Sequence, residues 1–162
     1  MLNEKGFDDW AQNYDKQKSN SVGYPFGGYY NVLSFARNLI NVNTNETKIL
    51  DIGIGTGELT KELSKSGAKI FGVDFSEKMI ELAKSKISTG IFEKFDLRNG
   101  LPKNFQTLKF DFVVSSYALH HLNKEEKANV LNQCLTLIKP NGKIIIADIA
   151  FKTKVDFDNC RK

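Results

Sequence analysis

Residues 49–59 read ILDIGIGTGEL. An apolar run carrying one acid, Asp51, leads into Gly53, Gly55 and Gly57 at alternate positions, and a polar segment follows. The run Lys48–Ile52 is short, apolar and bounded by glycine, which predicts a buried strand. Glycine lets a backbone turn sharply and lie directly against a ligand, because it has no Cβ. In an open parallel sheet, ligands bind beyond the carboxyl ends of the strands, where the strand order reverses. Gly53–Gly57 would lie at such an end. A plain tight turn between strand and helix is the competing reading, since a glycine-rich turn alone is a weak signal.

The rest of the chain supplies the context. Glu58–Ser66 predicts a helix, with Leu59 and Leu63 four apart and Gly67 placed to end it. Lys69–Val73 predicts the next strand. Ser76 is placed to cap a helix whose inner face is Met79, Ile80, Ala83 and Ile87. Ile91–Asp96 is a weaker strand pattern and Asp111–Ser115 a strong one. Asn123, with Glu126 three residues on, resembles a capping box for a helix with Ala128, Leu131, Cys134, Leu135 and Ile138 as its apolar positions. Lys139–Gly142 predicts a turn and Lys143–Ala147 a strand. Strands alternating with helices predict an α/β fold with a doubly wound, mostly parallel sheet covered on both faces.

The first 47 residues differ: Phe7–Tyr14 predicts a short helix, Ser19–Gly28 a loop and Tyr29–Ile40 a helix. The expected organisation is one domain over 1–162, with a helical cap (1–47), a core (48–150) and a tail (151–162).

Composition narrows the class. At 162 residues, 41% hydrophobic and 26% charged, the chain has the size and balance of one soluble globular domain. The net charge of +4 is spread over mixed Lys and Glu without a like-charged run, so no nucleic-acid partner is expected. Cys134 and Cys160 belong to no CxxC or Cys/His cluster, which predicts reduced thiols and no metal site. No apolar run has the length of about 18 residues that a membrane span needs. The opening MLNEKGFDDW has no apolar segment of the kind a secretory signal carries, so a cytoplasmic protein is expected.

Two further acids sharpen the ligand. Asp74 ends the second strand in GVDFS, where a carboxylate can accept hydrogen bonds from both hydroxyls of a ribose. A nicotinamide-binding protein would share that acid. The glycines run GxGxG, however, and not the GxGxxG that seats a pyrophosphate on a helix N-terminus. Asp96, at the end of the third strand in KFDLRNGLP, could accept from an exocyclic adenine amine; an ordinary strand-end turn acid is the alternative.

ILDIGIGTGEL, GVDFSEKMIELAK, FDLRNGLP, FDFVVSSYALHHL and LIKPNGKIIIADI, in that order between Ile49 and Ile149, resemble the successive motifs of class I S-adenosylmethionine-dependent methyltransferases. FDDWAQNYD and SSYALHHL are similar to small bacterial methyltransferases of the YrrT type. The resemblance implies a Rossmann-like sheet of strand order 3-2-1-4-5 and S-adenosylmethionine as cofactor. It implies that Gly53, Gly55 and Gly57 pass beneath the methionine part, and that Asp51 anchors its amino group. Asp74 would hold the ribose, Phe75 would lie against the adenine, and Asp96 and Leu97 would meet the adenine edge. Ser115 would border the methionine end with Ser116, and Tyr14, with Trp10, would close over it.

The implied reaction is methyl transfer to a small-molecule acceptor. A cofactor-binding domain without transfer activity, acting as a sensor or interaction module, is the alternative. His120 and His121 are the only histidines and follow the fourth strand. Neutral imidazole suits a general base, and a structural role is the competing reading; of the two, His120 is the candidate catalytic residue. Tyr24, Tyr29 and Tyr30 suggest an aromatic wall or cap packing. The Asn/Asp-Pro-Pro-Tyr/Phe tetrad that holds a flipped base is absent from the region after the fourth strand. The family's sheet usually ends in an antiparallel hairpin, and neither that hairpin nor a further helix fits 151–162 (FKTKVDFDNCRK). An exposed fifth-strand edge predicts a homodimer through that edge, or a tail that covers it.

Overall fold

The computed structural model describes residues 28–160. The expected helix Phe7–Tyr14 and residues Trp10, Tyr14 and Tyr24 lie outside them. The described chain runs α1 (Tyr29–Asn38), β1 (Lys48–Ile52), α2 (Lys61–Lys65), β2 (Lys69–Asp74), α3 (Glu77–Lys86) and β3 (Ile91–Lys94). A 3₁₀ turn (Leu97–Asn99), β4 (Phe110–Ser116), a second 3₁₀ turn (Leu119–His121), α4 (Lys124–Leu137), β5 (Ile138–Ala147) and α5 (Lys154–Cys160) follow. The five strands form one parallel sheet in the order β3-β2-β1-β4-β5. The order reverses between β1 and β4, so the tip of β1 lies at the switch point where such sheets bind ligands.

Alternating side chains carry the two cores. Ile49, Ile70 and Val114 pack with Leu33 and Ala36 of α1 and Ile80 and Ala83 of α3 on one face. Leu50, Ile52, Phe71, Val73 and Val113 pack with Phe110 and with Val130, Cys134 and Leu137 of α4 on the other. Both faces of β1 are therefore buried, as a central parallel strand requires. Tyr29 belongs to the first core and is 4% exposed, so its role is packing.

The caps act as predicted. Ser76 Oγ accepts from Met79 N at 3.2 Å. Asn123 Oδ1 accepts from Glu126 N at 2.9 Å while Glu126 Oε2 accepts from Asn123 N at 2.8 Å, a complete capping box.

Four expectations change. The helix expected over Glu58–Ser66 is only Lys61–Lys65: residues up to Thr60 form turns because Gly57 sits at φ +78° and the Thr60 side chain makes no cap. The buried stripe of α4 is Val130, Cys134 and Leu137, whereas Ala128 and Leu135 are exposed. The predicted turn Lys139–Gly142 lies inside β5, where the pairing jumps from Phe110↔Ile138 to Phe112↔Lys143 and Asn141 takes φ +65°. This bulge is pinned by Lys139 Nζ, which donates to both carboxylate oxygens of Asp111 at 2.9 and 2.8 Å. Finally, the tail contains a helix, α5. Thr153 opens it: Asp156 N donates to Thr153 Oγ1 at 3.1 Å and Thr153 N to Asp156 Oδ2 at 3.0 Å, a Thr-x-x-Asp box readable in the sequence. On the edge strand β5, Ile146 remains 45% exposed. No described helix is long and apolar enough to cross a membrane.

Asn123→Ala removes one member of the capping box while leaving the sheet intact. The expected cost is about 1 kcal/mol, a fall of roughly 2–4 °C in melting temperature, measured by calorimetry.

Candidate active site

The site is built from the tips of the strands. Asp51 is the fourth residue of β1 and is 1% exposed. Its Oδ2 accepts from Thr60 Oγ1 at 2.9 Å, and its Oδ1 is buried with no hydrogen-bond partner among the described residues. Burial pushes its pKa up from 3.8 to about 7; the Thr60 hydrogen bond opposes the rise and the nearby charge of Asp74 adds to it.

The chain then turns. Gly53 N and Ile54 N both donate to Val73 O at 2.9 Å, which folds the turn back over β2. Gly53, Gly55 and Gly57 all have positive φ, and their surroundings divide their roles. A Cβ on Gly53 would lie 2.2 Å from Ala118 Cβ, so the loop after β4 rests directly on this residue. A Cβ on Gly57 would press on Ile87 Cδ1 at 3.2 Å, close to α3. A Cβ on Gly55 would meet nothing within 4 Å. Two glycines therefore serve close packing, and the central one meets no atom of the described residues.

Asp74 ties the turn to β2. Its Oδ2 accepts from Gly55 N at 2.8 Å and its Oδ1 from Ser76 N at 3.0 Å. Phe75 follows it, half-buried. Phe95 N donates to Asp74 O at 2.8 Å and brings the end of β3 alongside. There Asp96 Oδ1 accepts from Arg98 N at 3.0 Å, and its carboxylate is forked by the Arg98 guanidinium. The Arg98 hydrogen bond holds its carboxyl below the usual range against the effect of burial. Leu97 is buried in the core. Ser115, 1% exposed, donates from Oγ to Ile52 O at 2.8 Å and locks the tips of β4 and β1 together.

Beyond β4 the backbone is forced. Tyr117 has φ +52°, which is rare for a residue with a side chain and concentrates at functional sites. Its N donates to Ala147 O at 2.9 Å, and its ring packs on Tyr29 with centroids 5.0 Å apart. His120 then meets Asp148, just past the end of β5, at 2.6 Å from Nδ1 to Oδ1.

The sequence reading missed two residues of the site. Asp148 was legible as an acid at a strand end, like Asp74. Thr60, nine residues beyond Asp51, carried no signal.

A family model described as a methyltransferase domain matches residues 49–142. The chain belongs to the class I S-adenosylmethionine-dependent methyltransferases. An uncharacterized methyltransferase of Anoxybacillus flavithermus is 36% identical over 152 residues, covering 90% of this chain and 66% of the relative. Another, from Bacillus velezensis, is 35% identical over 160 residues, covering 96% and 71%. The methyltransferase chain described here thus spans about two thirds of the length of these relatives. DhpI in complex with SAM and HEP superposes with a TM-score of 0.71 at 18% identity, over 96% of this chain and 68% of that one. A TehB-like SAM-dependent methyltransferase from Corynebacterium glutamicum gives 0.69 at 20% identity, over 98% and 82%. These structures share the fold.

The family's cofactor is S-adenosylmethionine, and the residues present fit it. A buried carboxylate oxygen without a partner among the described residues, followed in the chain by a glycine with no described atom near a Cβ, suits a ligand that brings a cationic amine and needs room. Two consequences follow for Asp51. Were Asp51 the partner of the ligand's ammonium, only its ionised carboxylate would bind it, and affinity for S-adenosylhomocysteine would fall as pH drops below about 7, by about tenfold per unit. In the free protein the sign is opposite. The unfolded carboxyl releases its proton near 3.8 and the folded one near 7, so this group's contribution to stability declines as pH rises between those values. Asp51→Asn is therefore expected to melt several degrees above the wild type at pH 8 while losing S-adenosylhomocysteine binding, measured by calorimetry.

Proposed function

We propose that this chain transfers the methyl group of S-adenosylmethionine to a small-molecule acceptor in the cytoplasm. The observation that carries the reading is the buried Asp51 Oδ1, which has no hydrogen-bond partner among the described residues, with Gly55 open in the turn that follows it in the chain. Asp51 would hold the cofactor's amino group, Gly53, Gly55 and Gly57 would run beneath its methionine part, and Asp74 would hold its ribose. Phe75 would lie against the adenine, with Asp96 and Leu97 at the adenine edge, and Tyr14 would close over the donor. Ser115 would act by fixing the strand tips, because its hydroxyl is already committed to Ile52 O.

Bound there, the cofactor supplies a methyl group on a positively charged sulfonium. The chain's part is orientation and exclusion of water. Holding two reactants about 3–3.5 Å apart and in line can supply roughly 7–11 kcal/mol of the barrier reduction. The transferred positive charge is dispersed as the methyl moves, so a dry pocket serves this reaction without a strong anion hole.

Gly55→Ala tests the assignment cleanly, since the added methyl touches no atom of the described residues. The φ of +54° costs about 1–2 kcal/mol with a side chain, so the variant folds with a modestly lowered melting temperature. Its affinity for S-adenosylhomocysteine, by calorimetric titration, is expected to fall at least about tenfold. Asp74→Ala, which deletes charged hydrogen bonds worth about 1.5–3 kcal/mol each, is expected to lose about tenfold or more. Wild-type binding of NADH in preference to S-adenosylhomocysteine would overturn the reading.

A further inference from the structure

Three N–H donors are arranged around Asp148. His120 N donates to Oδ2 at 2.9 Å, Ile149 N donates to Oδ1 at 2.7 Å, and His120 Nδ1 lies 2.6 Å from Oδ1. The Asp148 side chain is 12% exposed. Burial opposes its ionisation, but the His120 hydrogen bond and charge outweigh it and hold its carboxyl below the ordinary range. A carboxylate only accepts, so the ring must present Nδ1 as N–H. The lone pair of neutral His120 is then on Nε2, which has no hydrogen-bond partner among the described residues, and the side chain is 31% exposed.

The position is as informative as the tautomer. Ala118, two residues before His120, rests on Gly53 at the tip of β1. Tyr117 N is tied to Ala147 O, and Asp148 follows Ala147. The dyad is therefore fastened across β4 and β5 on the ligand-binding edge of the sheet. The other titratable groups beside it are His121, whose ring centroid is 3.9 Å from that of His120, and Tyr117, which feels the charge of Asp148. Burial, then the charge of His120, lowers the pKa of His121, so it stays neutral near pH 7 and does not compete as the cation.

Resting on the methyltransferase reading, we propose that Asp148 is a positioning residue that fixes His120 as the Nδ1–H tautomer, with Nε2 accepting the proton of a neutral hydroxyl on the methyl acceptor. The balance requires this class of acceptor. A hydroxyl oxygen that gains a methyl while keeping its proton becomes a strongly acidic oxonium, so the proton must leave with the transfer. It passes to Nε2, the O–H electrons stay on oxygen, and the imidazolium formed is paired with the Asp148 carboxylate. An amine attacks through a free lone pair and can release its proton to water afterwards, so it does not call for a fixed base.

Two measurements test this. In protein labelled with ¹⁵N-histidine, at alkaline pH, the two-bond ¹H–¹⁵N couplings should show His120 protonated at Nδ1, with Asp148→Ala shifting it towards the Nε2–H tautomer. An Nε2–H wild type overturns the proposal. His120→Asn keeps a side-chain donor facing Asp148 and lacks Nε2. It should bind S-adenosylhomocysteine and melt as the wild type does. It should lose about 10²–10⁴-fold in transfer of labelled methyl from S-adenosylmethionine to a panel of phenolic and aliphatic alcohols. Transfer at the wild-type rate, or wild-type transfer to amines but not to alcohols, overturns the inference while sparing the methyltransferase reading. That reading fails separately if the wild type binds no S-adenosylhomocysteine.

Discussion

A carboxylate sealed at the tip of the central strand, with one oxygen bonded to Thr60 and the other without a partner among the described residues, is the constraint on which the site depends. Burying such a group is costly unless a partner arrives, and the free protein responds by pushing Asp51 up to about 7. A neutral side chain of similar shape would serve the fold better. The acid at this position is therefore best understood through what binds to it, as is common where perturbed carboxyls sit at the mouth of a sheet. The remaining features surround that oxygen: the turn that leaves space, Asp74 that holds the turn, and Ser115 that locks the adjoining strand.

The glycine turn shows how one short stretch meets several demands. Gly53 admits Ala118 and so seats the loop that carries Tyr117, His120 and His121. Gly57 admits Ile87 and the neighbouring turn of α3. Only Gly55 faces open space, and its N–H is the one that Asp74 captures. The loop after β4 and the tip of β1 are thus linked through close contacts of a few residues. The rear of the turn is held by Glu58, 8% exposed, whose carboxylate receives Lys61 and Lys86, each at 2.7 Å.

Much of this was legible in the sequence because the signals were local. Lys48–Ile52 is a strand in both readings, and Ser76 and Asn123 cap helices by bonds between residues three apart. The strand order was an inference from resemblance and agrees with the sheet. The misreadings have physical causes. Of the expected apolar positions of α4, Cys134 is buried and Leu131 packs against the same core, whereas Ala128 and Leu135 face out and Val130 and Leu137 complete the buried stripe; only the placement of the sheet decides this. The bulge at Asn141 reads as a turn because its local conformation is one, yet Lys139 and Asp111 keep the strand in the sheet. Asp51, two residues before the first glycine, and Asp74, closing the second strand in GVDFS, were legible as acids near strand tips. Thr60 and the His120–Asp148 pair were not, since 28 residues and a helix separate that pair and only the sheet brings it together.

The most direct test of the account is a ¹³C NMR titration of the Asp51 carboxyl, with and without saturating S-adenosylhomocysteine. The expected midpoint is near 7 in the free protein, with a clear fall when the ligand's ammonium pairs with the unpartnered oxygen. A midpoint at the ordinary 3.8 in the free protein, or one that saturation leaves unmoved, would contradict it.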